Sequence, residues 1–293
     1  MPSSYLFLNG LRLHYLHWSL GSPQRPVVLL HGLASNARIW EMVGPALAAS
    51  ELPALAPDQR GHGLTDAPDG DYGFETFSRD LAAFLEACNL EKPLLVGHSW
   101  GAMVALDYAT RFAFGPRAPA GLVLVDGGVT QLDDAPGATW EQARDRLTPP
   151  RLDGMPLEDF QAMLKSSDSS WQPGEQELSI IMANFAISED EKITPHLSFE
   201  HHMQIVRAMW EFQTYAAFSR LRCPILLVPA QPAEPRSARE QAFLEQKQRG
   251  VARILQITPA VQVRWVVDSI HDIPLQRPAE LAQLILEFGA SLR

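Results

Sequence analysis

Cysteine is scarce: Cys88 and Cys223 are the two in 293 residues, and neither stands in a Cys-x-x-Cys pair. A disulfide framework is therefore not indicated, and two buried thiols in a reducing compartment are the simplest reading. Basic residues are outnumbered, 24 Lys and Arg against 34 Asp and Glu, for a formal net charge of −10. No Lys/Arg block offsets this locally, which excludes sequence-independent nucleic-acid binding. No segment is apolar for long enough to span a bilayer. The opening stretch "MPSSYLFLNGLRLHYLHW" lacks the cationic start and apolar run of a signal peptide, so a cytoplasmic location is expected.

What is present is an ordinary globular composition, with 46% hydrophobic and 20% charged residues. The length suits one large α/β domain with an insertion, or two domains. "YLFLNGLRLHYLHW" predicts a hairpin, because Asn9-Gly10 between alternating runs is the pair favoured in a type I′ turn. "VVLLHG" (27–32) is a continuous apolar run suited to a strand buried on both faces. Helical spacing follows in "ARIWEMVGPALAAS", then a short strand and polar loop in "LPALAPDQRGHG", then a helix in "FETFSRDLAAFLEACNL". "PLLVGHS" and "GLVLVDGG" predict strands, with the helix "AMVALDYATRF" between them.

Alternation of this kind predicts an α/β fold with a mainly parallel sheet flanked by helices. It lapses from about Thr130 to Tyr215, where strand signals are lacking and amphipathic stretches with Pro/Gly punctuation take over. It resumes with "CPILLVPA", "SAREQAFLEQKQRGVARIL", "VQVRWVVDSIH" and the final helix "PAELAQLILEFGASL". The expected organisation is a core of residues 1–129 and 217–293, with a mostly helical cap, 130–216, inserted between two late strands.

The stretch "LLVGHSWGAMVAL" (94–106) bends from strand to helix at Gly-x-Ser-x-Gly, with Ser99 at the bend. A serine hydroxyl is a poor nucleophile until a base takes its proton and an acid orients that base. At the mouth of a helix the unpaired N–H groups and the dipole stabilise negative charge. With "HG" after a buried strand, "DQRGHG", "GHSWG", a helical insertion and a late His in this order, the chain resembles the α/β-hydrolase fold superfamily. The resemblance spans nearly the whole length and implies a cofactor-free, metal-free enzyme.

Of nine histidines, His271 stands on a loop between "VQVRWVV" and the last helix, the position of the catalytic base in that superfamily. His98 is read as packing or polar support, and His62 as part of the loop architecture. His201-His202 lacks the further ligands of a metal site. The acid has two candidates. Relatives commonly carry it after the strand that follows the insertion, in a Gly-x-x-Asp-like stretch, whereas "LLVPAQPAEP" offers only Glu234. The other recognised position, after the preceding strand, holds Asp126 in "LVLVDGG". Asp126 is favoured, and Glu234 remains the alternative.

The resemblance also implies an oxyanion hole from the backbone N–H groups of Leu33 and Trp100. "GHSWG" is similar to the "GHDWG" of haloalkane dehalogenases and epoxide hydrolases, with Ser99 in place of their nucleophilic Asp. That replacement points to acyl transfer. The insertion is rich in Trp, Phe and Met, including Trp140, Phe160, Trp171, Phe185, Phe199, Trp210 and Phe212, a few of which are expected to line an apolar pocket. The expected activity is hydrolysis of a small carboxylic ester with an apolar acyl or aryl group. A diketone carbon–carbon hydrolase, a lactonase, an aminopeptidase and a non-catalytic binding member of the fold are the alternatives. A homodimer is left open.

Overall fold

The computed structural model describes residues 2–22, 24–134, 137–165, 171–258 and 260–292. The chain opens with β1 (Ser3–Leu8) and β2 (Leu11–Trp18), paired antiparallel with Leu8 opposite Leu11. Asn9 and Gly10 between them both have positive φ, 48° and 76°, as a type I′ turn requires. Next come β3 (Val27–Leu30), helix α1 (Gly44–Ala49) and β4 (Ala54–Pro57). They are followed by α2 (Phe74–Ala87), β5 (Leu94–His98), α3 (Trp100–Arg111) and β6 (Gly121–Val125).

The segment after β6 holds α4 (Trp140–Leu147), β7 (Met155–Pro156), α5 (Leu157–Lys165), α6 (Glu175–Met182), β8 (Phe185–Ile187), β9 (Lys192–Pro195), α7 (Phe199–Glu211) and α8 (Thr214–Arg220). The chain continues with β10 (Ile225–Val228), β11 (Ala230–Gln231), α9 (Ala238–Ile257), β12 (Gln262–Val263) and β13 (Val266–Val267); β10 and β12 rejoin the main sheet, whereas β11 and β13 form a separate two-stranded one. The chain finishes with α10 (Ile273–Gln276) and α11 (Pro278–Ser291).

The main sheet has eight strands in the order β1-β2-β4-β3-β5-β6-β10-β12. From β4 to β12 every pairing is parallel, and β1 and β2 complete the sheet antiparallel. The strands send alternate side chains to opposite faces. Val28, Leu30, Leu95, Leu122, Leu124 and Leu227 meet Phe77, Phe84, Val104, Tyr108 and Ile254 from α2, α3 and α9. Val27, Leu29, Val96, Val123 and Val228 meet Leu47, Leu281, Ile285 and Phe288 from α1 and α11. A parallel strand covered on both faces has no polar side to show, which is why these strands read as unbroken apolar runs.

Three local expectations are modified. "ARIWEMVGPALAAS" splits into a 3₁₀ turn at Ala37–Trp40 and α1, since Asn36 caps Arg38 N and Pro45 restarts the helix at its first turn. "VQVRWVVDSIH" is two short strands rather than one: β12 pairs with β10, and β13 with β11. The insertion also carries a small antiparallel sheet, β7-β9-β8, whose two- to four-residue strands are too short for alternation to register. Its last helix, α8, packs on α3 and α9 of the sheet's helical layer.

Both cysteines are free and only partly buried. Desolvation pushes each thiol up to about 11, so neither is a ready thiolate. No helix among the described residues is long and apolar enough to cross a membrane.

Candidate active site

The sheet places the site residues by its own ladder. Ser99 follows β5 and Asp126 follows β6, each one residue past the strand end. The Ser99 N–H donates to the Val125 carbonyl at 2.9 Å, and the Asp126 N–H donates to the Val228 carbonyl at 3.0 Å. Both turns are thus fixed at the backbone before any side chain is considered. Both residues also have positive φ, 54° for Ser99 and 42° for Asp126, a conformation that a non-glycine residue keeps only when its surroundings impose it.

The close packing that imposes it comes from glycines. A Cβ on Gly97 would overlap the backbone of Gly101 and Ala102, and one on Gly101 would overlap the carbonyls of Leu30 and His31. Strand β5, helix α3 and strand β3 can therefore approach around Ser99 only with glycine at these positions.

His271 lies on the loop between β13 and α10. Its Nε2 is 2.9 Å from Ser99 Oγ, and its Nδ1 is 2.7 Å from Asp126 Oδ2. With Nδ1–H donating to the carboxylate, Nε2 is the acceptor that faces the serine hydroxyl. Three residues far apart in sequence form one hydrogen-bonded chain. Glu234 stands outside it: its carboxylate faces solvent and pairs with Arg236.

The electrostatics follow from burial and charge. The Asp126 side chain is fully buried, whereas that of His271 is 45% exposed. Burial raises the Asp126 carboxyl, but the bond and charge of His271, together with Lys247, reverse this and bring it down to about 2. For His271, desolvation lowers the pKa; the bond and charge of Asp126, aided by Asp272, more than offset that and leave it above the ordinary imidazole value. His98 Nε2–H donates to the His271 backbone carbonyl at 3.0 Å, so His98 provides the polar support expected of it. Burial, and then the neighbouring His271, lower His98 to about 4, which keeps it neutral near neutral pH.

Trp100 opens α3, where a helix supplies no carbonyl for its first N–H groups. Gly32 brings the other expected donor close: a Cβ there would touch Ser99 Cβ at 3.2 Å, and Leu33 is the next residue. The loop is held by His31, whose Nδ1–H donates to the Gly32 carbonyl at 2.8 Å and whose Nε2 accepts from Gln59 N at 3.0 Å.

Beside this loop lies a cavity of about 500 Å³ between the core and the insertion. Ala34 and Ser35 form part of its wall, whereas Ser99 and His271 do not. Of the aromatics in the insertion, Phe185 and Phe199 line it. Others pack elsewhere: Phe212 against Phe74 at 4.6 Å and Trp140 against Trp210 at 6.4 Å between ring centroids. The wall is not wholly apolar, because His62, His196 and His202 share it with Arg151. Burial lowers all three imidazoles, His62 to about 3, so they face the cavity neutral. His201 stacks on Tyr72 at 3.9 Å, and no group of three metal-binding side chains occurs among the described residues.

Residues 27–284 match the family model described as the alpha/beta hydrolase family. The chain belongs to that family. The cis-3-alkyl-4-alkyloxetan-2-one decarboxylase of Shewanella oneidensis is 34% identical over 143 residues, covering 46% of this chain and 43% of that protein. Epoxide hydrolase A of Mycobacterium tuberculosis is 39% identical over 99 residues, covering 33% of this chain and 30% of that one. The chain thus matches less than half the length of either relative. Among solved structures, an E-2-(acetamidomethylene)succinate hydrolase superposes with a TM-score of 0.76 at 20% identity, covering 98% of each chain. At that identity the likeness is one of fold.

One residue of this alpha/beta hydrolase site escaped the sequence reading. Lys247 of α9 is 2% exposed and donates from Nζ to Asp126 Oδ1 at 2.8 Å. Its signal is in the sequence: Leu244, Lys247, Val251 and Ile254 follow helical spacing, and all four are buried. A lysine in an apolar stripe calls for a buried anion to meet it.

Proposed function

We propose that this protein is a serine hydrolase that cleaves small carboxylic esters with an apolar acyl or aryl group. The observation that carries the reading is the chain from Ser99 Oγ through His271 to Asp126, with links of 2.9 and 2.7 Å. Ser99 Oγ attacks the ester carbonyl while His271 Nε2 takes its proton. The Leu33 and Trp100 N–H groups hold the oxyanion, and collapse expels the alcohol, which leaves with the proton from His271. Water then attacks the acyl-enzyme, His271 takes the water proton, and the acid departs as Ser99 recovers its hydrogen. Asp126 stays ionised throughout and stabilises the imidazolium. The insertion between β6 and β10 acts as the cap, and the cavity beneath it takes one end of the substrate.

The relative from Shewanella oneidensis supports one extension. An oxetan-2-one is a cyclic ester, so lactones belong beside open-chain esters in a substrate panel. Epoxide hydrolase chemistry is less well supported, because a serine occupies the position where the similar "GHDWG" motif has its aspartate.

The test is the time course of p-nitrophenyl butyrate hydrolysis, with labelling by a fluorophosphonate probe, for the wild type and Ser99→Ala. Both signals are expected in the wild type, and the variant should retain no more than about one part in 10⁴ to 10⁶ of kcat. A wild type no faster than the variant on esters and lactones alike would overturn the reading.

A further inference from the structure

Asp126 divides its two oxygens. Oδ2 faces His271 Nδ1 at 2.7 Å, while Oδ1 accepts from Ala230 N at 2.8 Å and from Lys247 Nζ at 2.8 Å. Lys247 Nζ also donates to the Ala230 carbonyl and lies 5.0 Å from the centre of the Phe243 ring. The ion pair is dry, with side-chain exposures of 3% and 0%. Burying such a pair rarely gains stability over an apolar pair of the same size, so stability gives no reason for a lysine in this stripe. Geometry gives one. Two donors on Oδ1, one from the backbone after β10 and one from α9, fix the plane of the carboxylate and leave Oδ2 aimed at the base.

We propose that Lys247 is a positioning residue for the reacting serine and histidine, acting through Asp126: it locks the carboxylate and sets the pH at which His271 becomes a free base. Its kinetic consequence rests on the serine-hydrolase reading; its effect on the ring does not. The groups facing His271 are Asp126 after β6, Asp272 beside it, His98 at the end of β5 and, across Asp126, Lys247 of α9. The two carboxylates favour the protonated ring, and the lysine opposes it. Asp126 is thereby shared between two cations instead of being committed wholly to imidazolium. Without the lysine, the imidazolium would be the only counter-charge left to a buried carboxylate, and the base would stay protonated to higher pH.

The experiment follows the His271 ring by NMR from about pH 5 to about pH 9, a range that brackets imidazole titration. It compares the wild type with Lys247→Met, which keeps the stem and drops the charge, and assigns the signal with His271→Gln. The midpoint is expected to rise by about one pH unit. The acid limb of kcat/KM should move with it, and kcat on p-nitrophenyl butyrate should fall about tenfold at unchanged KM. Arg249→Met, on the same helix and facing solvent beside Glu245, should leave both readouts as in the wild type.

A Lys247→Met protein that titrates and turns over like the wild type, whatever its melting temperature, overturns the proposal. If it does not fold, Lys247→Gln keeps a donor for Oδ1 without the charge and is expected to show the same rise in midpoint. Failure of both variants to fold would make the lysine a scaffold element and also overturn the proposal. If the wild type shows no serine-dependent hydrolysis, the ring titration still decides the question, so the two readings fail separately.

Discussion

Gly127 lies directly against Ser99: a Cβ on Gly127 would overlap the Ser99 carbonyl group and crowd its Cα. The turn carrying the acid and the turn carrying the serine therefore occupy one space, and neither backbone can shift without the other. Gly127→Ala should displace the serine, at an overpacking cost of about 1–3 kcal/mol. Since a shift on the order of 1 Å can cost about 10²-fold in rate, kcat should fall by about that factor. Ester kinetics and urea unfolding of the variant measure the two effects side by side. Wild-type turnover in a folded Gly127→Ala protein would show that the contact is relieved without reaching Ser99.

The two carboxylates weighed for the acid make opposite predictions. Asp126 is buried and bonded to His271 Nδ1, so Asp126→Asn should cost about 10⁴-fold in kcat by presenting the wrong partner to the ring. Glu234 is exposed and paired with Arg236, and Glu234→Gln should keep kcat within about twofold. The comparison needs both variants assayed on one ester under one buffer. A large loss in the glutamate variant with none in the aspartate variant would reverse the assignment.

How far the sequence could be read is set by the range of the interactions involved. The parallel sheet was legible because strands buried on both faces must be apolar throughout, and the bend at Ser99 because its glycines are demanded by close backbone approach. The acid has no such local signature. Asp126 and Glu234 both follow strand ends, and what separates them is burial and a bond to a loop 145 residues away. The small sheet of the insertion left no pattern, since strands of two to four residues are shorter than the alternation that reveals them. Lys247 escaped although it stands among the buried apolar residues of α9, because its meaning requires knowing which buried anion it meets. The role of His98 turned on the partner of its ring, which lies on a distant loop.

The pH dependence follows from the same three residues, and its sign can be worked out. His271 acts as a base only when neutral, and its pKa is raised above the ordinary value of 6.5 by Asp126 and Asp272 against the cost of burial. The acid limb of kcat/KM should therefore have its midpoint above that value, and in Asp126→Asn the residual activity should show a limb moved to lower pH. Stability runs the other way along the scale. The Asp126 carboxyl falls from 3.8 to about 2 on folding, a difference worth about 2 kcal/mol at about 1.4 kcal/mol per pKa unit. Because the folded value is the lower one, that stabilisation is fully present above about pH 4 and is lost as the pH falls through about 2. Asp126→Asn has no carboxyl to protonate there, so its unfolding free energy should drop less steeply between those pH values than that of the wild type. Urea titrations at a series of acid pH values read this slope directly. Equal slopes for the two proteins would mean that the buried carboxylate is not held in its charged form by His271 and Lys247.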